Sequence, residues 1–413
     1  LKYKMLNDPL SLQEKINKLV FLYQKRMFKE ALLEADSLVK KNPNVSIVHN
    51  INGIINLALD NWKNSIECFF KAIKIQPNYA EAYYNLGIAQ DNLEQMEEAV
   101  QSYTKAIEIK PDFAIAHEAL IHILSFYNPK KNSSNLCVKA NKLLQDGIYN
   151  YSSEKKISDT DVKNFFIRAN NIILKNLNSL NLSETEVFRS NIVDLKCERH
   201  FNVFNTFKVI PEYCFGCYKV QIELKNVIEL FKLYFVFDNL KLKNSNTRKC
   251  MIELRPKVES SYKGFIYCGS LEEANKIYNQ VNSILNKNIN QKTSILVKRG
   301  CSEFAVAYPE YKKIYKDKRD LMKYDEKWRT KEKQIDDQLM QEGNTKKRRL
   351  RNNLLGASVC DILIMRNWIA YAKIIGDMSY KKIIEEVSIP AHIEKKLSYR
   401  LSKYKKESSS SPD

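Results

Sequence analysis

Six of the nine cysteines lie between residues 197 and 301, and two of them, Cys214 and Cys217, form a C-x-x-C pair. Thiolates at this spacing hold zinc or an iron–sulfur cluster, or they exchange with a disulfide. Both kinds of metal centre take four ligands, so the pair needs two more cysteines. The candidate metal ligands are Cys214, Cys217, Cys250 and Cys268, with Cys301 in reserve.

The elements that would position these cysteines follow one another from Tyr213 onward. The predicted order is strand (YKVQIEL), helix (KNVIELFKLYFVFDNLKL), strand (RKCMIELRP), strand (KGFIYCG), helix (SLEEANKIYNQVNSILNK) and strand (TSILVKRG). Ser270, with Glu273 three residues on, predicts a capping box for the second helix. This order predicts a ferredoxin-like βαββαβ domain over residues 207–311. In that topology all five cysteines fall at one end of the sheet.

The same strand patterns also support a purely structural role for two of the cysteines. Alternation puts Cys250 on the face of Ile252, and Cys268 on the face of Ile266. An apolar face of this kind packs against helices, where cysteine is commonly buried and inert. Thiol–disulfide exchange is disfavoured because the C-x-x-C pair precedes a strand, whereas in thioredoxin-like units it opens a helix. Metal binding and burial both stay open.

The third strand of this domain resembles the RNA recognition motif in Lys263, Gly264, Phe265 and Tyr267, followed by a helix SLEEANKI that is similar to the second helix of that family. The resemblance implies that two aromatic rings on an open sheet face stack nucleic-acid bases, with basic side chains around them. The predicted nucleic-acid contacts are Lys219, Arg255, Lys263, Phe265, Tyr267 and Lys298.

The first third of the chain repeats itself with a period of 34 residues, marked by Pro43, Pro77 and Pro111. A matching frame precedes each proline: ALLEADSLVKKNP, SIECFFKAIKIQP and AVQSYTKAIEIKP. This pattern resembles the tetratricopeptide repeat (TPR), which implies paired helices stacked into an α-solenoid over residues 1–130, closed by a capping helix, DFAIAHEALIHIL. The matching residues are Ala31 and Pro43, then Gly53, Ser65, Phe69, Ala72 and Pro77, then Tyr83, Leu86, Gly87, Ala99, Tyr103, Ala106 and Pro111.

The TPR resemblance further implies a concave groove that binds a peptide or another domain. The groove residues expected on the first helices of the repeats are Asn50, Tyr84 and Asp91. Family members that clamp a terminal carboxylate use Lys and Asn on these helices, and this face offers little positive charge. A scaffold that only packs on the later domains is the alternative.

The remaining segments are expected to be helical or disordered. Residues 131–206 are predicted to be a helical connector, residues 312–405 a basic helical region with the run KKRRLR at Lys346–Arg351, and residues 406–413 a disordered tail. The net charge of +19 falls entirely after residue 130, because residues 1–130 hold 15 basic and 15 acidic side chains. Such an excess favours an anionic partner, or belongs to a generally lysine-rich protein.

Several function classes lose support from the sequence. The chain has no run of eighteen apolar residues, which excludes an ordinary membrane-spanning helix. The first ten residues lack the apolar core of a signal peptide and an initiator Met, and a cytoplasmic location is expected. There is no Gly-rich phosphate loop, no G-x-S-x-G and no H-E-x-x-H, so the catalytic residues of any enzyme are unknown.

These observations predict a fold of class α + (α+β): a TPR solenoid, a ferredoxin-like domain and a helical C-terminal region. The leading functional hypothesis is a protein-binding adaptor whose cysteine-rich domain holds a metal and contacts an anionic partner. One alternative is an enzyme with a cysteine-ligated zinc or iron–sulfur centre. The other is an RNA-binding protein that uses the open sheet face.

Overall fold

The computed structural model describes residues 11–146, 156–177, 180–190, 195–254, 260–289, 293–314, 321–341, 352–395 and 397–398. Arg255, the basic run at 346–351 and the tail at 406–413 lie outside these residues. The chain divides into two compact units, the first comprising residues 1–123 and 129–135 and the second residues 124–128 and 136–413.

The first unit is a stack of helix pairs. Its described helices are α1 (Leu12–Gln24), α2 (Phe28–Lys41), α3 (Ser46–Ala58), α4 (Trp62–Ile75), α5 (Ala80–Asn92), α6 (Met96–Ile109) and α7 (Ala114–Leu124). The second helix of each pair ends two residues before Pro43, Pro77 or Pro111, as the 34-residue period predicts. Helix α1 contacts α3 and α3 contacts α5, so the first helices of the pairs form one layer.

Glycine lets the two helices of a pair approach closely. A Cβ atom on Gly53 would lie 2.5 Å from Phe69 Cε1, and one on Gly87 would lie 2.6 Å from Tyr103 Cε1. Both distances are too short for two carbon atoms, so each aromatic ring of the second helix fills the space that the glycine leaves. The ring of Phe69 is fully buried there. The helix pairs are therefore held by interlocking side chains.

The second unit combines helices with one sheet. Its described helices are α8 (Leu136–Gln145), α9 (Asp159–Leu177), α10 (Cys197–Phe207), α11 (Val227–Asn239), α12 (Leu271–Asn288), α13 (Ser302–Ala307), α14 (Arg329–Gln341) and α15 (Val359–Ile374). Its strands are β1 (Glu186–Arg189), β2 (Tyr218–Leu224), β3 (Arg248–Ile252), β4 (Tyr262–Cys268) and β5 (Ser294–Arg299). Among the described residues, no helix is both long enough and apolar enough to cross a membrane.

The strands pair antiparallel throughout, in the order β1-β3-β4-β2-β5. Tyr218 of β2 lies opposite Cys268 of β4, and Cys250 of β3 lies opposite Gly264 of β4. Helices α11 and α12 contact the sheet. A Cβ atom on Gly264 would lie 2.3 Å from Leu233 Cδ2 of α11, so this glycine leaves room for the helix side chain that packs on the sheet.

A buried ion-pair network ties the sheet edge to α11 and α15. Arg189, at the end of β1, donates from Nε to Asp238 Oδ1 at 2.8 Å and from Nη2 to Asp361 Oδ2 at 3.0 Å. Its Nη2 also donates to the Tyr234 hydroxyl at 2.6 Å. Since all three charged side chains are buried, each depends on the others for compensation of its lost hydration.

Candidate functional site

We use the name inner layer for the first helices α3, α5 and α7 of the repeats, and this layer carries a hydrogen-bonded row of polar side chains. Asn85 Nδ2 on α5 donates to Asn50 Oδ1 on α3 at 3.1 Å, and Asn50 Nδ2 donates to the Tyr79 hydroxyl at 3.2 Å. Each side-chain amide has two N–H donors and a carbonyl with two lone pairs. These two hydrogen bonds use one donor of each asparagine, so within the part of the chain that the structure describes both side chains keep capacity for a further partner.

The other two predicted groove residues also belong to this layer. The Tyr84 ring on α5 lies 5.4 Å from the ring of Phe113 and 6.0 Å from that of Tyr103. Burial, and after it the Glu118 carboxylate, raises the pKa of Tyr84. Asp91, near the end of the same helix, is half-buried. Asn85 was not among the predicted residues, although it lies one position after Tyr84.

The inner helices α3, α5 and α7 contain no lysine or arginine. They do contain Glu81, Asp91 and Glu118, and the Glu81 carboxylate accepts an ion pair from Lys110 of the neighbouring segment at 3.3 Å. Ile47 on α3 and Ile115 on α7 are exposed apolar side chains. These three helices therefore present amides, carboxylates and isoleucines, and no cation for a terminal carboxylate.

In the second unit, the C-x-x-C pair lies on a short 3-10 turn, where the backbone N–H of Cys217 donates to the carbonyl of Cys214 at 3.3 Å. Cys197, Cys214, Cys217 and Cys301 line one small cavity together. The buried Lys219 reaches the same place, with its Nζ 3.3 Å from Cys301 Sγ. Burial, partly offset by Lys219, raises the pKa of Cys217 to about 11.

The predicted set of metal ligands is not brought together. Cys250 is 2% exposed and lies opposite Gly264, four residues along β4 from Cys268, which is about 13 Å at the strand rise. Burial raises the pKa of both thiols, that of Cys268 to about 12. All nine cysteines are free thiols. Among the described residues, no three His, Cys, Asp or Glu side chains are placed to hold a metal ion.

The described residues of the predicted nucleic-acid face share one side of the sheet, where Lys219, Lys263 and Phe265 are buried and Tyr267 and Lys298 are half-buried. Lys219 lies opposite Tyr267 and Lys298, and the Nζ atoms of Lys219, Lys249 and Lys298 each lie 5.9 Å from the centre of the Phe265 ring. Phe265 is only 8% exposed. Its ring is thus not available to stack on a base in this structure, because lysine side chains and other groups surround it.

Lys263 takes part in a different contact from the one predicted. It is buried, and its Nζ lies 3.9 Å from Glu253 Oε2. The prediction of an open, base-stacking face is therefore wrong at Phe265 and Lys263. The side chains of β4 alternate between the two faces of the sheet, as the sequence pattern predicts. The pattern gives no information about what covers each face.

Comparisons with known proteins bear on the first unit alone. Residues 80–113 match a model described as tetratricopeptide repeat, and residues 55–94 match one described as TPR repeat. The stretch 55–113 therefore carries TPR repeats, which confirms the resemblance seen in the sequence. No curated protein matches the chain.

Solved structures of TPR domains align with about a quarter of the chain. The first TPR of Spaghetti (RPAP3) bound to an HSP90 peptide, SRMEEVD, is 19% identical, with 28% of this chain and 93% of that chain covered and a TM-score of 0.26. The Arabidopsis OM64 TPR domain is 19% identical over 27% and 92% of the chains, with a TM-score of 0.26. The TPR2B domain of yeast Sti1 in complex with a pHsp70 is 16% identical over 27% and 94%, with a TM-score of 0.26.

Proposed function

We propose that the chain is a protein-binding adaptor, in which the inner layer of the TPR unit binds an extended protein segment. The observation that carries the proposal is the bond between Asn85 and Asn50, which joins two successive inner helices. Side-chain amides in such a row offer both donors and acceptors, the two groups that a peptide backbone needs as partners. The exposed Ile47 and Ile115 add apolar contacts for side chains of the bound segment.

The charges of the inner layer favour a neutral or basic segment. Helices α3, α5 and α7 have no lysine or arginine, whereas Glu81, Asp91 and Glu118 are carboxylates. An acidic segment, or a free C-terminal carboxylate, would meet like charges on these three helices, and the neighbouring Lys110 is already paired with Glu81. We therefore infer that the partner is recognised through an internal stretch of its chain.

For the second unit we propose a fold and no binding partner. The strand order β5-β2-β4-β3, with α11 after β2 and α12 after β4, supports a ferredoxin-like arrangement to which β1 adds an edge strand. We propose neither a metal centre nor base stacking for this unit, because Cys250 lies about 13 Å along the sheet from Cys268 and Phe265 is buried.

Selection of a random peptide library displayed on phage, with the full chain as bait, tests the proposal. The expected outcome is a family of related sequences with neutral or positive net charge, which bind equally well with a blocked C-terminus. The Asn85→Ala variant should fail to retain them, while Asn64→Ala, an exposed asparagine of α4, should retain them. Enrichment of sequences that end in acidic residues, or equal retention by Asn85→Ala, would overturn the proposal.

A further inference from the structure

A cavity of about 420 Å³ lies at the end of the sheet where β2 begins, β4 ends and α12 begins. Its lining includes Gly216, Asn246, Thr247, Tyr267 and Glu273. The volume falls in the range of pockets that enclose small molecules. The cavity belongs to the second unit and is separate from the inner layer of the TPR repeats.

Two buried oxygen atoms in the lining have no hydrogen-bond partner among the described residues. Asn246 is 6% exposed and Thr247 is 3% exposed. Neither Asn246 Oδ1 nor Thr247 Oγ1 has a hydrogen bond to any described residue. A buried polar atom of this kind is costly to the fold, and most such atoms in native proteins are paired with protein, water or ligand. Both atoms accept hydrogen bonds but have almost no accessible surface, so a ligand with N–H or O–H donors satisfies them only together with a small movement of the cavity wall.

The charge of the lining selects against anions. Glu273 lines the cavity, and its carboxylate accepts from Asn246 Nδ2 at 2.9 Å and from the backbone N–H of Gly269 at 2.7 Å. Burial acts to raise the pKa of Glu273, but these hydrogen bonds outweigh it and lower the pKa, so the group is charged at neutral pH. No lysine or arginine is among the described residues of the lining. A phosphate or carboxylate would meet this negative charge uncompensated.

Two glycines line the cavity although their backbone conformation does not require glycine. Gly216 and Gly269 both line it, and neither adopts a left-handed conformation that would require glycine. A Cβ atom on Gly216 would lie 3.8 Å from its nearest neighbour, the carbonyl oxygen of Gly269, which is an ordinary contact. The protein would therefore tolerate a side chain there, and what the glycine preserves is space.

We propose that this cavity binds a small, planar, phosphate-free molecule of nucleoside size, which donates N–H hydrogen bonds to Asn246, Thr247 and Glu273. Tyr213 and Tyr267 line the same space and offer aromatic surface to a flat ring. The heterocyclic amines of nucleosides combine such a ring with N–H donors and carry no negative charge.

Isothermal titration calorimetry of the full chain with adenosine, cytidine and guanosine, and with their 5′-monophosphates, tests this proposal. We expect saturable binding of at least one nucleoside, one per chain, and binding of its 5′-monophosphate that is weaker by about tenfold or more. No saturable binding of any of the three nucleosides, or equal or tighter binding of the monophosphate, would overturn it.

Variants tie the binding to the cavity. Gly216→Val places a branched side chain in the space, and Glu273→Gln removes the charge; each should weaken nucleoside binding by about tenfold. Glu272→Gln is the matched control, since Glu272 is the preceding residue of α12 and pairs with Lys276 outside the cavity. Nucleoside binding that is unchanged in both Gly216→Val and Glu273→Gln would contradict the proposal. All three variants should retain the phage-selected peptides as the natural chain does. A failure of the cavity proposal can therefore be told apart from a failure of the TPR proposal.

Discussion

Asn85 of α5 donates a hydrogen bond to Asn50 of α3 at 3.1 Å, and Asn50 in turn donates one to the Tyr79 hydroxyl at 3.2 Å. Two successive repeats thus share one polar chain on the inner layer of the TPR unit. These hydrogen bonds orient both side-chain amides in the free protein. Such preorganisation lowers the entropy cost of binding. Because α3 and α5 carry no lysine or arginine, the proposed partner site suits backbone amides and offers no cation from these two helices to a terminal carboxylate.

The close packing of α5 against α6 predicts that a side chain added at Gly87 destabilises the TPR unit. Gly87→Ala should lower the free energy of unfolding by about 1–3 kcal/mol, although alanine is the better helix former, because the new methyl group would lie 2.6 Å from the buried Tyr103 ring. Gly216→Ala makes the same chemical change with a nearest contact of 3.8 Å, and should change stability by less than about 0.5 kcal/mol. Urea denaturation followed by circular dichroism measures both. Equal stability of the two variants would contradict the interlocking of α5 and α6.

The buried ion pairs of the second unit predict a large effect at Arg189. Arg189→Met leaves the carboxylates of Asp238 and Asp361 without their cation in a buried site, and should cost about 3–5 kcal/mol. Fluorescence of Trp328 and Trp368 in a Trp62→Phe background reports unfolding of this unit in urea. Lys276→Ala is the control, because it removes the exposed pair with Glu272, which should be worth less than about 1 kcal/mol. A loss at Arg189 as small as that of the control would refute the network.

Burial of thiols predicts an order of alkylation. Burial, partly offset by Lys71, raises the pKa of Cys68 to about 11, and burial raises that of Cys137 to about 12. The reactive thiolate is therefore scarce at pH 7.5 in both, and becomes more abundant as the pH rises toward these values. Iodoacetamide labelling with mass spectrometry should find Cys197, which is exposed, modified at least about tenfold faster than either. Faster labelling of Cys68 or Cys137 than of Cys197 would contradict the packing of α4 or α8.

Much of the fold could be predicted because its signals are local. The 34-residue spacing of Pro43, Pro77 and Pro111 gives the helix pairs, and α11, β3, β4, α12 and β5 lie where the patterns of apolar residues indicate. The edge strand β1 went unpredicted, since its four residues, Glu186–Arg189, are too short to show an alternation. Helix α10 begins at Cys197, and its polar first turn has no apolar period that would mark this start in the sequence.

The sites could be predicted less well, because they depend on distances between strands and on what covers a face. The predicted topology puts all five cysteines at one end of the sheet, whereas Cys250 lies opposite Gly264, four residues inside the end that Cys268 marks. Asn85 has no signal of its own in the sequence beyond its place next to Tyr84. Asn246 and Thr247, which line the large cavity, precede β3 in a segment that no motif distinguishes.

The most direct test of the adaptor proposal is fluorescence anisotropy with one labelled, phage-selected peptide and three forms of the full chain. We predict that the natural chain and Asn64→Ala bind the peptide equally, and that Asn85→Ala binds it about tenfold more weakly. We also predict that the acidic peptide SRMEEVD, used as a competitor, does not displace it. Equal binding by all three forms, or displacement by SRMEEVD at a concentration similar to that of the unlabelled selected peptide, would contradict the assignment of the inner layer as the partner site.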